Sequence, residues 1–296
     1  MRIATYPVHA GSHAAMAATG HEFVSLGKIW PDHERPRPAN WVLADRYEGP
    51  FDLGLAFDEP GLRRLVPMNI PLVYAIFIDM SRGRLTGWVD DACELVVFTN
   101  KDTADRWELR DPDRKRIVEF GIEDDFPPRK EGIGEVMTVG NFMTARSDKG
   151  IGALIGVDSV IDLSTYGAGN SELRGAKGFV SNAEVRKLLA GHKVYFNSGP
   201  VICNTVAEAM MAGTPVVTME PETYKEFIHD GVNGFVAKNV EDAVDKIRRL
   251  LVDPGLRETI GSIGRKTALE RFAMAKHISV WNAVFGEAVA SAKEAA

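Results

Sequence analysis

The sequence predicts an α/β chain of two domains built on parallel sheets, and three observations carry that prediction. Short β-branched or aromatic runs alternate with helix-patterned stretches along the chain, the order that builds parallel sheets through crossover helices. The 296 residues, 45% hydrophobic and 26% charged, suffice for one large or two modest cores, and two domains suit this length better. The stretch from Pro127 to Gly134 has the Pro, Gly and charge content of a linker.

Taken in order, Arg2 to Tyr6 reads as a first strand, followed by a Gly- and Ala-rich loop and helix from His9 to Thr19 and a second strand at Phe23 to Leu26. Residues 30–50, with Trp30-Pro31 and Arg35-Pro36-Arg37-Pro38, show little periodicity and read as a surface loop. Strands follow at Leu53 to Phe57, Leu72 to Ile78 and Leu95 to Thr99, and the first domain is expected to span 1–132. The second, 133–275, offers short buried strands at Val136 to Gly140, Val160 to Ser164, Gly178 to Val180, Val194 to Asn197 and Val216 to Met219, then a long helical end from Val240. Val244, Ile247, Leu250 and Leu251 recur there at helical spacing, which is core packing. Trp281 and Phe285 read as packing anchors.

The most informative stretch runs from Ser198 to Val217: loop, short helix, turn and buried strand. Thr205 is a good N-cap, Gly213 a good C′ residue, and Pro215 opens a β-branched run. The amides of residues 203–207 would then point at whatever precedes the helix, and such ends bind anions. Thr205 and Glu208 also spell the Thr-x-x-Glu capping box. The residues alone leave the capping and the ligand-binding readings both open.

From Gly199 to Phe285 the order of features resembles the carboxy-terminal half of the GT-B glycosyltransferases, in particular the retaining family 4. Glu208-Ala-Met-Met-Ala-Gly-Thr-Pro-Val-Val217 is similar to that family's Glu-Ala-Met-Ala-x-Gly-x-Pro-Val-Val. Glu226-Phe-Ile-His-Asp-Gly-Val-Asn-Gly-Phe-Val236 is similar to its Glu-x-Ile-x-x-Gly-x-x-Gly-x-Leu-Val. Gly178 to Leu189 resembles the strand end and helix around the nucleotide base, and Val139-Gly140 with Lys149-Gly150 the start of the nucleotide domain. The likeness covers 136–290 and is fainter before.

The resemblance implies two Rossmann-like domains with parallel sheets facing across a cleft, residues 276–296 returning to the first. It implies metal-independent, retaining transfer of a sugar from a UDP- or GDP-type nucleotide sugar to an unidentified acceptor, without a bound cofactor. Phe179, Val180 and Ser181 would meet the base; Ile202, Cys203, Asn204 and Thr205 the diphosphate; Glu208 the ribose hydroxyls. Lys149 matches the family's Lys-Gly on the phosphates, and Arg146 is the candidate second charge because Asn141 stands where the family has arginine. From the first domain, Gly11 and Ser12 would meet the donor phosphate, while His9 and His13 flank them with phosphate, surface or capping roles open. The family's first glutamate is Pro200 here, and its first-domain histidine is Phe77, leaving Asp79 as the catalytic candidate. A catalytically silent nucleotide-sugar-binding module and a sugar-nucleotide epimerase are the alternatives, and a modified nucleic-acid base is an unusual acceptor to test.

Composition excludes other classes. Residues 1–135 carry 17 Lys and Arg against 23 Asp and Glu, and 136–296 carry 18 of each, so general nucleic-acid binding is not expected. Two cysteines, Cys93 and Cys203, an opening Met1 to Pro7 without an apolar core, and no membrane-spanning run point to the cytoplasm. Asp111-Pro112-Asp113 reads as a polar turn, and Gly150, Gly152 and Gly156 miss the dinucleotide fingerprint by one residue. The histidines are scattered, and no metal site is expected.

Overall fold

The computed structural model describes residues 1–6, 10–27, 36–76, 83–84, 87–146, 149–199, 202–219 and 222–295. Asp79 and Phe77 lie outside them, as do His9 and Pro200. The chain divides into two compact units, one of Met1–Gly121 with Met274–Ala296 and one of Ile122–Ala273.

The first unit runs β1 (Arg2–Thr5), α1 (Ala10–Ala17), β2 (Glu22–Leu26), β3 (Trp41–Ala44), β4 (Leu53–Ala56), α2 (Glu59–Leu65), β5 (Leu72–Ile76), β6 (Gly83–Arg84), α3 (Gly87–Ala92), β7 (Leu95–Phe98), α4 (Lys101–Arg106), β8 (Trp107–Glu108) and β9 (Lys115–Ile117). Among the described residues its main sheet has the order β3-β2-β1-β4-β5-β7-β9, with every pairing parallel. Strands β4, β5 and β7 are buried at every residue, the pattern of a parallel sheet covered on both faces.

Residues 30–50 were expected to be loop, yet Trp41–Ala44 is a strand paired with β2. Trp41 is fully buried, its ring stacked 4.8 Å from that of Phe23. Burial of one large aromatic anchors this edge strand despite the preceding prolines. Helix α1 begins at Ala10, so Gly11 and Ser12 sit in its first turn and not in a loop. His13 is buried, stacked 4.4 Å from the Trp41 ring, which removes the surface role.

The second unit runs β10 (Gly134–Val139), α5 (Ile151–Asp158), β11 (Leu163–Tyr166), β12 (Ala176–Gly178), α6 (Asn182–Gly191), β13 (His192–Asn197), α7 (Asn204–Met211), β14 (Val216–Met219), α8 (Glu222–Lys225), β15 (Phe235–Ala237), α9 (Val240–Val252) and α10 (Pro254–Phe272). Its sheet, parallel throughout, has the order β12-β11-β10-β13-β14-β15. Val136, Leu163, Val194, Phe196, Val217 and Phe235 fill the core beneath α5 and α9.

Strand β11, expected from Val160, starts at Leu163, because Val160 and Ile161 turn back to bond the carbonyl of Val157 at 3.1 and 2.9 Å. The helical end breaks at Asp253, whose Oδ1 accepts from the Leu256 amide at 2.9 Å with Pro254 opening α10. It breaks again at Ala273, before α11 (Met274–Ala295). Helix α11 belongs to the first unit, where Trp281 and Phe285 are fully buried.

The Pro-rich stretch lies within the second unit, after the boundary at Gly121. Its backbone is spent there: the Lys130 amide bonds the Ala190 carbonyl at 3.0 Å, and the Gly132 and Ile133 amides bond that of Gly191 at 3.1 Å each. Glu131 is paired with Arg257 at 2.9 Å. A segment so bonded is folded structure, whatever its composition.

Candidate functional site

The strand order of the second unit reverses between β10 and β13, and in open parallel sheets ligands bind outside the carboxyl ends of the strands at such a point. From β10 comes the loop 140–150, and from β13 the loop that leads into α7. The two are stitched together. Ser198 Oγ donates to the Lys149 carbonyl at 2.6 Å. Gly150 adopts φ +60°, and a Cβ there would lie 1.9 Å from the Ser198 carbonyl oxygen. Only glycine permits both the left-handed conformation and that approach.

The loop after β10 is also fixed from β11. Asn170 Nδ2 donates to the Gly140 carbonyl at 2.6 Å, and its Oδ1 accepts from the Met143 amide at 2.9 Å. Asn141 Oδ1 accepts from the Ala168 amide at 2.8 Å, so this side chain holds the turn where the resemblance expects a charge. Gly167 N donates to the Gly178 carbonyl at 2.8 Å and Gly140 N to that of Tyr166 at 3.0 Å. Main-chain bonds thus link the ends of β12, β11 and β10 into one ledge. Phe179 stands on it, 53% exposed, just past the end of β12. Ser181 caps α6, its Oγ accepting from the Glu184 amide at 3.3 Å while Glu184 Oε2 accepts from the Ser181 amide at 2.8 Å.

Helix α7 starts two residues before the expected place. Its N-cap is Cys203, which makes no side-chain cap bond, and Thr205 is the second helical residue. The capping box predicted for Thr205 and Glu208 is therefore absent, and the same pattern is realised at Ser181 and Glu184. The C-terminus follows expectation: Gly213, at φ +75°, donates to the Met210 carbonyl and Thr214 to that of Ala209, both at 2.9 Å. This is a Schellman closure.

Beneath the start of α7 lies a buried polar cluster. Tyr195 and Tyr224 are fully buried, and burial pushes both phenols well above their ordinary range. The Tyr195 hydroxyl faces Cys203 and Thr205 and is influenced by the Glu208 charge. Asn197 and Cys203 complete the group, with Cys203 Sγ donating to Asn197 Oδ1 at 3.4 Å.

The structure thus brings Lys149, Cys203, Thr205 and Glu208 to one end of the sheet, with Phe179 to Ser181 further along the same edge. Arg146 is exposed, and its carbonyl accepts from the Lys149 amide at 3.2 Å. Sequence reasoning missed Asn197, Tyr195 and Tyr224 as parts of this end. The one signal for them is a polar Asn-Ser pair directly closing a buried strand.

The second matching word, Glu226 to Val236, performs a structural task. Asn233 is buried, its Oδ1 accepting from the His229 amide at 2.7 Å and its Nδ2 donating to the Phe227 carbonyl at 2.8 Å. Asp230 Oδ1 accepts from the Val236 amide at 2.9 Å, which closes the turn into β15. A separate recess of about 690 Å³ is lined by Phe126, Arg129, Gly213, Arg257 and Arg265. Its arginines are spent on helix ends and strand carbonyls: Arg257 on Leu250 and Leu251, Arg265 on Met211, Arg129 on His192.

Among the described residues no three His, Cys, Asp or Glu side chains gather at one place, and no helix is long and apolar enough to cross a membrane.

Two doubly wound α/β units with parallel sheets define a GT-B fold, the architecture of the glycosyltransferases this chain is similar to. Residues 172–267 match the family Glycosyl transferases group 1. The chain is 32% identical over 74 residues to the trehalose synthase of Pyrococcus horikoshii, a match covering 25% of this chain and 18% of that protein. It is 35% identical over 74 residues, with the same coverage, to that of Thermococcus litoralis. The match therefore spans under a fifth of these curated relatives. Among solved structures, Anabaena HepE in complex with UDP and glucose aligns over 96% of this chain and 98% of its own, with TM-score 0.75 and 14% identity. Sucrose-phosphate synthase of Thermosynechococcus elongatus aligns over 98% and 100%, with TM-score 0.75 and 13% identity. Identities this low speak for the fold.

Proposed function

We propose that the chain is a glycosyltransferase that moves a sugar from a nucleotide-diphosphate sugar to an acceptor not yet identified, with the nucleotide held by the second unit. The observation that carries this reading is the Ser198 to Lys149 bond at the switch point, which seats the lysine loop beside the start of α7. An ammonium and the amides of a helix start suit a diphosphate, and the UDP held by the Anabaena protein makes a uridine nucleotide the first to test.

When the glycosidic bond to phosphate breaks, negative charge accumulates on the leaving diphosphate, and groups fixed in advance stabilise it best. Lys149 is assigned this role and Arg146 a supporting one, so transfer needs no divalent ion. Backbone groups of Ile202, Cys203, Asn204 and Thr205 meet the diphosphate, Glu208 the ribose, and Phe179 to Ser181 the base. Gly11, Ser12 and Asp79 are carried as first-unit contacts on sequence position alone. Retention of anomeric configuration and a hexosyl or pentosyl donor belong to the same proposal. A catalytically silent nucleotide-binding module is favoured by one observation, that Asn141 is spent on the Ala168 amide and brings no charge.

Melting curves with UDP and GDP in the presence of chelator test the reading. Ligand at about 100 times its Kd adds about 2.7 kcal/mol to stability. Stabilisation that vanishes on chelation refutes metal independence, and none with either nucleotide refutes the site. A product screen with UDP-sugars then separates transfer from silent binding.

A further inference from the structure

The loop between β13 and α7 is closed by one side chain. Asn197 ends β13 and is buried, 8% exposed. Its Nδ2 donates to the Gly199 carbonyl at 2.9 Å and to the Tyr224 hydroxyl at 3.0 Å, and its Oδ1 accepts from Cys203 Sγ at 3.4 Å. One amide therefore grips both flanks of residues 200–201, which lie outside the described residues, and is itself held from α8. Asparagine alone among side chains of this size presents two donors and an acceptor together. Aspartate lacks the donors and leucine lacks all three. Tyr195, two residues earlier, lies on the same face of β13, and its fully buried hydroxyl faces Cys203 and Thr205. Ser198, the residue after Asn197, carries the bond to the Lys149 loop. Asn197 thus holds Gly199 and Cys203, which lie between the Ser198 bond and the first turn of α7, and its third contact, Tyr224, comes from α8.

We propose that Asn197 is a positioning residue: by clasping Gly199 and Cys203 it fixes the start of α7 relative to Lys149, so that the amides of α7 and the lysine meet a nucleotide diphosphate without rearrangement. Tyr224 holds the clasp in register. The ligand half of this inference rests on the nucleotide reading above; the clasp itself does not. Preorganisation of this kind is expressed as affinity, because the cost of ordering the loop has been met before the ligand arrives.

The test compares wild type, Asn197→Ala, Tyr224→Phe and Leu154→Ala, the last removing a fully buried core side chain of the same unit, on α5. Three quantities are read: the alkylation rate of Cys203 by iodoacetamide, followed by peptide mass; the Kd of UDP by calorimetry; and the melting temperature. Asn197→Ala is expected to speed Cys203 alkylation and weaken UDP by about tenfold or more each, with Tyr224→Phe shifting both in the same direction by less. Leu154→Ala should lower the melting temperature and leave both other readings unchanged. If Leu154→Ala moves Cys203 and UDP as much as Asn197→Ala does, or if neither clasp variant moves Cys203, the inference is overturned. If Asn197→Ala does not fold, Tyr224→Phe decides by the same comparison. A wild type that binds neither UDP nor GDP overturns the functional reading and the ligand half with it, while Cys203 alkylation still decides the clasp.

Discussion

Replacing Gly150 by alanine tests the junction on which the candidate site depends. The residue sits at φ +60°, where a β-carbon costs about 1–2 kcal/mol. That carbon would also lie 1.9 Å from the Ser198 carbonyl oxygen, so the loop must open by roughly 1.5 Å to reach ordinary contact, an overpacking that costs about 1–3 kcal/mol. The sum, about 2–5 kcal/mol, is a large part of the stability of a unit of roughly 150 residues. At about 2–4 °C per kcal/mol the melting temperature should fall by about 4–20 °C. Separation of Ser198 from Lys149 should weaken UDP as well. Gly152→Ala is the control, since a Cβ there meets nothing within 4 Å. It lies inside α5, where alanine should stabilise by about 0.5–1 kcal/mol. Differential scanning calorimetry of both variants gives the answer. Should Gly150→Ala melt within about 2 °C of Gly152→Ala, the close approach is not what fixes this loop, and the reasoning from it falls.

Four further outcomes are expected. Lys149→Ala should lower kcat by about 10²–10³ at saturating donor, since it removes charge stabilisation that grows in the transition state, whereas Glu208→Gln should mainly weaken nucleotide by about tenfold or more; steady-state kinetics and calorimetry distinguish them, and an unchanged kcat in Lys149→Ala would reduce that residue to a docking charge. Burial holds His192 and His277 below the ordinary imidazole range, so the unfolded chain takes up more protons and stability falls as pH drops through about 6.5; each group contributes up to about 1.4 kcal/mol per pH unit, and His277→Gln should flatten the fall measured by urea unfolding between pH 7 and pH 5. In the native protein a thiol reagent should modify Cys203 and spare Cys93, whose thiol burial pushes to about 12; equal rates by mass spectrometry would contradict the buried placement of Cys93.

The central strands were legible because burial on both faces writes itself as unbroken apolar runs, as in Leu72 to Ile76 and Leu95 to Phe98. The edges were not. Trp41–Ala44 follows a run of prolines and arginines, and Lys115–Ile117 opens with two charges, the composition that protects sheet edges and hides them from a hydrophobic pattern. At the site, Gly213 could be read because it serves a local requirement, the left-handed residue that closes α7. Thr205 was misplaced because Thr-x-x-Glu describes a local option only, and the helix starts earlier, at Asn204 with Cys203 as its N-cap. Asn197 escaped notice for a related reason: its partners Gly199, Cys203 and Tyr224 meet only in the fold.

The discontinuity of the first unit bears on how the chain assembles during synthesis. Ile3, Phe23, Trp41 and Val73 share one core cluster with Trp281, Val284, Phe285 and Ala288, and the last four leave the ribosome only after the whole of Ile122–Ala273 has been made. The second unit is contiguous and has every residue of its interior in hand by then. The segment translated first is thus finished last, and its exposed strands wait through roughly 150 residues of elongation, at about 5–20 residues per second, for the helix that seals them.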